Sequence, residues 1–273
     1  MIFDFATDVG KLFLIVACGY VLLRTYALHM QPQWVASFTH RRFAVVAILT
    51  LAVAAIKIIE DVVAKESGPV DEAVLWFIRD HVPQAMNGFF SAITLTGSLK
   101  FLLPVAIASV AVLLVAKRRF EAILVGASVT MATALMWGIK AIVGRARPAL
   151  WEAQWFWGSS FPSGHTLNTA AFSIAAALAV ARIWPRAGNA AMALALLWTS
   201  LVALSRLVLG VHWPSDVLAA ICLGALFHCQ SAWPMTCVAH KACPTSDNCA
   251  RLVLWCRRRT CKELCEFFRP PKW

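Results

Sequence analysis

The sequence predicts an all-α fold: a polytopic bundle of membrane-spanning helices. Three observations carry that prediction. Of 273 residues, 60% are hydrophobic and only 14% charged, whereas a soluble domain carries about a quarter charged residues. Mean hydropathy is +0.70. The apolar residues gather into blocks approaching the roughly 20 residues with which a helix crosses about 30 Å of hydrocarbon. An ordinary soluble globular protein is excluded. Length alone would suggest two domains at about 150 residues each, but the blocks repeat without a second separable core, so one membrane domain is expected.

Seven blocks lack charge except near their ends: 12–27, 43–59, 101–116, 122–139, 166–181, 187–204 and 217–232. The first is the weakest, with twelve residues between Lys11 and Arg24. It does not read as a secretory signal, because the residues before it carry Asp4 and Asp8 without Lys or Arg and no A-x-A site follows. A retained helix is expected there. Between the second and third blocks, Val74, Phe77, Ile78 and Val82 follow helical spacing opposite Asp71, Glu72, Arg79 and Asp80. That pattern predicts a helix over 68–83 lying on the outer interface with its apolar side down. The organisation expected is an N-terminal helix and loop (1–42), a six-span core (43–232) and a basic, cysteine-rich tail (233–273).

Alternating spans place 16 of the 25 Lys and Arg on one side, in loops that include Arg41-Arg42, Lys117-Arg118-Arg119 and Arg182 with Arg186. Short loops rich in Lys and Arg stay in the cytoplasm, so the N-terminus is expected outside and the tail inside. The net charge of +11 is then a topology signal, and no nucleic-acid partner is implied. The tail holds Cys237, Cys243, Cys249, Cys256, Cys261 and Cys265. Thiols on the cytoplasmic side stay reduced, and no C-x-x-C pair suggests zinc.

Charges at membrane depth are costly and mark function, and here they converge on the outer side. Lys140 ends the fourth span. Arg147 lies seven residues on, two helical turns along the same face, with Pro148 expected to end the helix. Pro162-Ser163-Gly164-His165 opens the fifth span, where unpaired N–H groups and the helix dipole suit a phosphate. Ser205-Arg206 closes the sixth, and His212 precedes Asp216 by four residues, within reach of one another at the start of the seventh. Taken alone, each has a bland role: a Lys or Arg at a span end is usually an interfacial anchor. Their combination on one side is not explained that way. His29, His40, His81, His228 and His240 match no such pattern and are expected to be structural or solvated. Trp151, Trp155 and Trp157 suit an interfacial aromatic belt.

The strings Lys140-x6-Arg147-Pro148, Pro162-Ser163-Gly164-His165 and Ser205-Arg206-x5-His212-x3-Asp216 resemble, in order, the three motifs of the type 2 phosphatidic acid phosphatase (PAP2) superfamily. The resemblance covers about 43–232 and implies that family's six-helix core with an active site at the outer membrane face. The family's soluble acid phosphatases and vanadium haloperoxidases fit poorly with the apolar blocks. The first span and the tail lie outside the pattern, as does Arg145. Residue by residue, the resemblance implies His212 as nucleophile, Asp216 as its orienter and His165 as general acid, with Lys140, Arg147, Ser163, Gly164 and Arg206 holding phosphate.

Phosphoryl transfer depends on positioning and on neutralising charge on the equatorial oxygens, which three cations and helix-terminus N–H groups can do with no metal or cofactor. The expected function is hydrolysis of a lipid phosphate or diphosphate in the bilayer through a phosphohistidine. Undecaprenyl diphosphate, phosphatidylglycerol phosphate, phosphatidic acid and a lipid A phosphate are all admissible. The short loops suggest a bacterial inner membrane. Alternatives are a phosphotransferase on the same site, or a binder or transporter of anionic lipids without turnover.

Overall fold

Helix length follows the apolar blocks, because backbone groups in hydrocarbon must be paired within the segment. The computed structural model describes residues 2–30, 42–151 and 158–226. Among these no strand occurs. The chain falls into two units, Met1–Cys229 and Gln230–Trp273, and the described residues all belong to the first. The tail cysteines, His40, His228, His240, Trp155 and Trp157 lie outside the described residues.

In chain order the helices are α1 (Ile2–Met30), α2 (Arg42–Val63), α3 (Gly68–His81), α4 (Asn87–Thr96), α5 (Leu99–Val115), α6 (Arg119–Val143), α7 (Gly164–Ile183) and α8 (Gly188–Val208), followed by α9 (Pro214–Leu226). Arg119–Val143, Gly164–Ile183 and Pro185–Val208 are each long and apolar enough to cross a membrane. Gln84–Thr96 and Leu99–Val115 together form a further candidate, bent by 43° at their junction. The blocks at 12–27 and 43–59 fall within α1 and α2, helices of 29 and 22 residues, about 43 and 33 Å long at 1.5 Å per residue.

At the centre lies α7, packed against α6 and α8, with α5 on α6 and α4 on α8. It can be central because it is small: Ala170, Ala171, Ala175, Ala177 and Ala179 are all buried. Small residues let membrane helices approach closely. Close approach extends to α9, where a Cβ on Gly224 would stand 2.7 Å from that of Ala170. Helix α9 also meets α2 through Ala219, Val62 and Phe161. Around this centre large apolar side chains such as Phe13, Ile107, Val115 and Ile142 are exposed, as the outer wall of a protein in lipid should be.

One detail differs from the sequence expectations. Helix α6 stops at Val143, because Gly144 adopts a left-handed conformation (φ 59°) and its N–H bonds back to Lys140 O. Only Lys140 is therefore helical; Arg147 follows on a segment without regular secondary structure, and the two are not stacked on one helix face. Glycine ends the helix before proline can, since it enters this region without a Cβ penalty. Helix α3 forms as the periodicity predicts, with Val74 and Phe77 exposed as a side turned to lipid would be, while Asp71 and Leu75 are buried against the protein. Where lipid is the solvent, an apolar face need not turn inward, and the buried carboxylate does so because partners await it.

Candidate active site

Four chain segments meet around one cavity of about 540 Å³, lined among others by Gly97, Lys140, Arg147, Gly164, His165, Arg206 and His212. Each reaches it by a separate local device. Lys140, in the last turn of α6, donates from Nζ to Ser159 O at 2.5 Å, which ties the loop before α7 to the helix end. That loop is fixed further by Ser160, whose N–H donates to Arg145 O and whose Oγ donates to Ala146 O. Gly164 and His165 are the first two residues of α7, where N–H groups have no carbonyl one turn back. A Cβ on Gly164 would meet the Met136 side chain, so glycine here lets this terminus sit close to α6 without displacing it.

Arg206 is 1% exposed and is steered by Thr94 of α4, whose Oγ1 accepts from its Nη1 at 2.7 Å. The bend between α4 and α5 makes this possible by bringing Gly97 against α8 and α7: a Cβ there would lie 2.6 Å from Val202 Cγ1 and 3.0 Å from Thr169 Oγ1.

Beyond α8 the chain turns through Gly210, at φ 64°, with the Trp151 ring against it, and presents His212. Its Nδ1 lies 3.2 Å from Asp216 Oδ2, which also accepts from Trp213 N at 2.9 Å. Its Nε2 lies 3.3 Å from Arg147 Nη1, which donates to Val211 O at 2.8 Å. Arginine can only donate, so these partners select the tautomer with the proton on Nδ1 and the lone pair on Nε2. Burial, and then the charges of Arg206, Arg147 and Lys140, hold the His212 pKa well below that of a free histidine. The ring is neutral at neutral pH.

Of the eight residues singled out in the sequence, six line the cavity. Asp216 stands behind His212, fully buried. Ser163 does not line the cavity: its N–H donates to Asp216 O at 3.1 Å and its Oγ is 3.1 Å from Thr166 Oγ1, so it joins the starts of α7 and α9. His81, expected to be structural, bonds Phe77 O one turn back and stacks on the Phe77 ring. Sequence reasoning missed Thr94, Asp71 and Arg145. Arg145 bridges Asp71 and Asp216 at 2.6 and 2.8 Å. A signal was present: an arginine at membrane depth requires a partner.

Several known proteins resemble this chain. The model of the PAP2 superfamily matches residues 121–237. Phosphatidylglycerophosphatase B of Escherichia coli is 38% identical over 76 residues, 28% of this chain and 29% of that protein. A lipid A 1-phosphatase of Rhizobium johnstonii is 36% identical over 104 residues, 34% of this chain and 39% of the relative. The chain thus spans well under half the length of these curated relatives. Among solved structures, a transmembrane PAP2 type phosphatidylglycerolphosphate phosphatase from Bacillus subtilis superposes with a TM-score of 0.59 at 25% identity, covering 69% of this chain and 94% of that one. Motifs, helical architecture and relatives agree: residues 121–237 match the PAP2 superfamily, and the chain is similar in fold to an integral membrane phosphatase of that type.

Proposed function

We propose that this protein is a membrane phosphatase that hydrolyses a lipid phosphate monoester or diphosphate at the extracytoplasmic face of a bacterial inner membrane. The observation that carries the reading is the pose of His212: Nδ1 held by Asp216, Nε2 turned to a cavity whose charged side chains are Lys140, Arg147 and Arg206. The other wall is apolar, formed by Gly97, Leu99, Met136, Trp137 and Ala141. Trp137 is 64% exposed on a spanning helix, so this wall borders lipid. A phosphate can sit among the cations while its acyl or prenyl chain stays in the bilayer. The named activities of the relatives, on phosphatidylglycerol phosphate and on lipid A, fit such a substrate.

In the proposed reaction the Nε2 lone pair of His212 attacks phosphorus and the bond to the lipid oxygen breaks, leaving a phosphohistidine. Asp216 stabilises the positive charge that develops on the ring, as the carboxylate of a hydrolytic triad does. Protonated His165 gives its proton to the leaving oxygen. It then takes one from water, which attacks phosphorus and returns His212 with release of phosphate. Arg147 and Arg206 fork onto the equatorial oxygens, Lys140 adds a point charge, and the N–H groups that open α7 complete the cradle. Ser163 sets the position of that terminus.

The test is to incubate purified protein with a panel of lipid phosphates and diphosphates and to measure released phosphate, with an acid-labile phosphoenzyme trapped in parallel. The reading expects turnover in excess chelator, inhibition by vanadate, and loss of both turnover and phosphoenzyme in His212→Ala. Transfer to a second lipid without release of phosphate would replace hydrolysis by phosphotransfer. Near wild-type turnover in His212→Ala would overturn the mechanism.

A further inference from the structure

Behind the cavity, on the side of Asp216 away from substrate, lies a buried ionic network that the motifs do not include. Arg145 sits at its centre. Its Nη1 donates to Asp216 Oδ1 at 2.8 Å and to Ser215 Oγ at 2.7 Å, and its Nη2 to Asp71 Oδ2 at 2.6 Å and to Ser67 Oγ at 3.0 Å. Asp71, carried by α3, also accepts from Ser215 N at 2.9 Å and from Ser215 Oγ at 2.6 Å. Its carboxylate therefore serves as a cap for the first turn of α9, supplied by another helix. Side-chain exposure is 14% at Arg145, 3% at Asp71 and 0% at Asp216. The Trp213 ring covers the guanidinium at 5.3 Å.

We propose that Arg145 and Asp71 are positioning residues for phosphoryl transfer, acting through Asp216 on the orientation of His212. The inference rests on the reading of His212 as nucleophile. Its physical basis is a division of labour among cations. A carboxylate with no solvent access must have its charge compensated, but Lys140, Arg147 and Arg206 face the cavity, where an incoming phosphate engages them. Arg145 does not line the cavity and keeps its bond to Asp216 Oδ1 whether or not phosphate is bound. That leaves Oδ2 for His212 Nδ1 and Trp213 N. Asp71 has a separate task. A guanidinium held by one carboxylate could swing toward an anion in the cavity, whereas a fork shared between two carboxylates cannot leave without stranding a buried charge. Sharing also keeps Arg145 from neutralising Asp216 completely, so that Asp216 can still stabilise the charged ring of the phosphohistidine. Helix α3 is thus part of the reaction's support although it contributes nothing to the cavity wall.

The network could instead only pin α3 to α9, and the experiment is chosen to separate the two. Arg145→Lys, Asp71→Asn and Ser215→Ala are purified as full-length protein, beside Glu121→Gln, which breaks the Arg182 ion pair between the start of α6 and the end of α7. Turnover of a dispersed lipid phosphate is measured per folded molecule together with vanadate inhibition. Arg145→Lys and Asp71→Asn should lower kcat about 10- to 100-fold, as removal of a buried partner behind a reacting group does, with KM and vanadate inhibition within about twofold. Ser215→Ala, a milder change that keeps both charges, should lower kcat several-fold, and Glu121→Gln should leave kcat at the wild-type value. Wild-type kcat per folded molecule in Asp71→Asn and Ser215→Ala would overturn the inference and leave a structural pin. A loss confined to KM and vanadate affinity would overturn it too, making Arg145 a substrate ligand. His212→Ala run in parallel keeps the readings apart: if it turns over, the nucleophile assignment fails; if it is inactive while the network variants are not, only this inference fails.

Discussion

Nη1 of Arg147 stands between the Val211 carbonyl and the ring of His212, 2.8 Å from Val211 O and 3.3 Å from Nε2. One guanidinium thus holds the peptide that carries the proposed nucleophile and points a cation at its lone pair. This is a resting arrangement that substrate would displace in part, since phosphate oxygens compete for the same fork.

Arg147→Lys keeps the charge but loses the fork. Bidentate phosphate binding cannot be reproduced by an ammonium, so KM for a lipid phosphate and the vanadate inhibition constant should both rise about tenfold or more, each tenfold being about 1.4 kcal/mol. Titrations of activity against substrate and vanadate check this. Unchanged vanadate inhibition would remove Arg147 from the phosphate cradle.

Thr94→Val is nearly isosteric and removes the hydroxyl that accepts from Arg206 Nη1. A hydrogen bond to a buried charged group contributes about 1.5–3 kcal/mol, so vanadate should bind roughly 10- to 100-fold more weakly while His212 still forms its phosphoenzyme. Binding measured on purified variant protein tests whether α4 orients this cation.

Gly210→Ala should destabilise the protein by about 1–3 kcal/mol. The residue sits at φ 64°, and the new Cβ would lie 2.5–2.7 Å from three atoms of the Trp151 ring, which cannot move without uncovering the His212 turn. Thermal unfolding in detergent provides the measure, and an unchanged midpoint would contradict the strain.

The depressed pKa of His212 makes stability depend on pH. Below about 6.5 the unfolded chain protonates this ring while the folded one, held low by burial and by Arg206, Arg147 and Lys140, does not. Stability rises with pH wherever the unfolded state binds more protons, so His212 costs stability as pH falls, by up to about 1.4 kcal/mol per unit. Unfolding midpoints between pH 7.5 and 5.5 should fall more steeply in the wild type than in His212→Gln.

Orientation is testable by fusion. A reporter after Gly158 should be extracytoplasmic and one after Arg119 cytoplasmic, because Lys117-Arg118-Arg119 belongs to the basic side. The reverse pattern would turn the site toward the cytoplasm and exclude substrates presented outside.

What the sequence determines by itself is the helical class and the identity of the six charged, imidazole and helix-terminal residues singled out above that line the cavity. The first follows because hydrocarbon admits only backbone that pairs within its own segment. The second follows because phosphate chemistry needs cations, imidazoles and helix-terminal N–H groups in a short menu of spacings, as in His212-x3-Asp216, where both partners lie on one turn. Tertiary structure alone decided the rest. Arg147 reaches the cavity from a non-helical segment because Gly144 ends α6 early, and Arg206 is aimed by Thr94 from 112 residues away. The burial of Asp71 on α3 was not legible either: the periodicity sets it on the polar side of an interfacial helix, and it is retained inside by Arg145, 74 residues further on. Pairings of that range leave no periodic trace. They arise when the packing of α7 against α6, α8 and α9 brings separate segments to one buried point, where an unmatched charge could not persist.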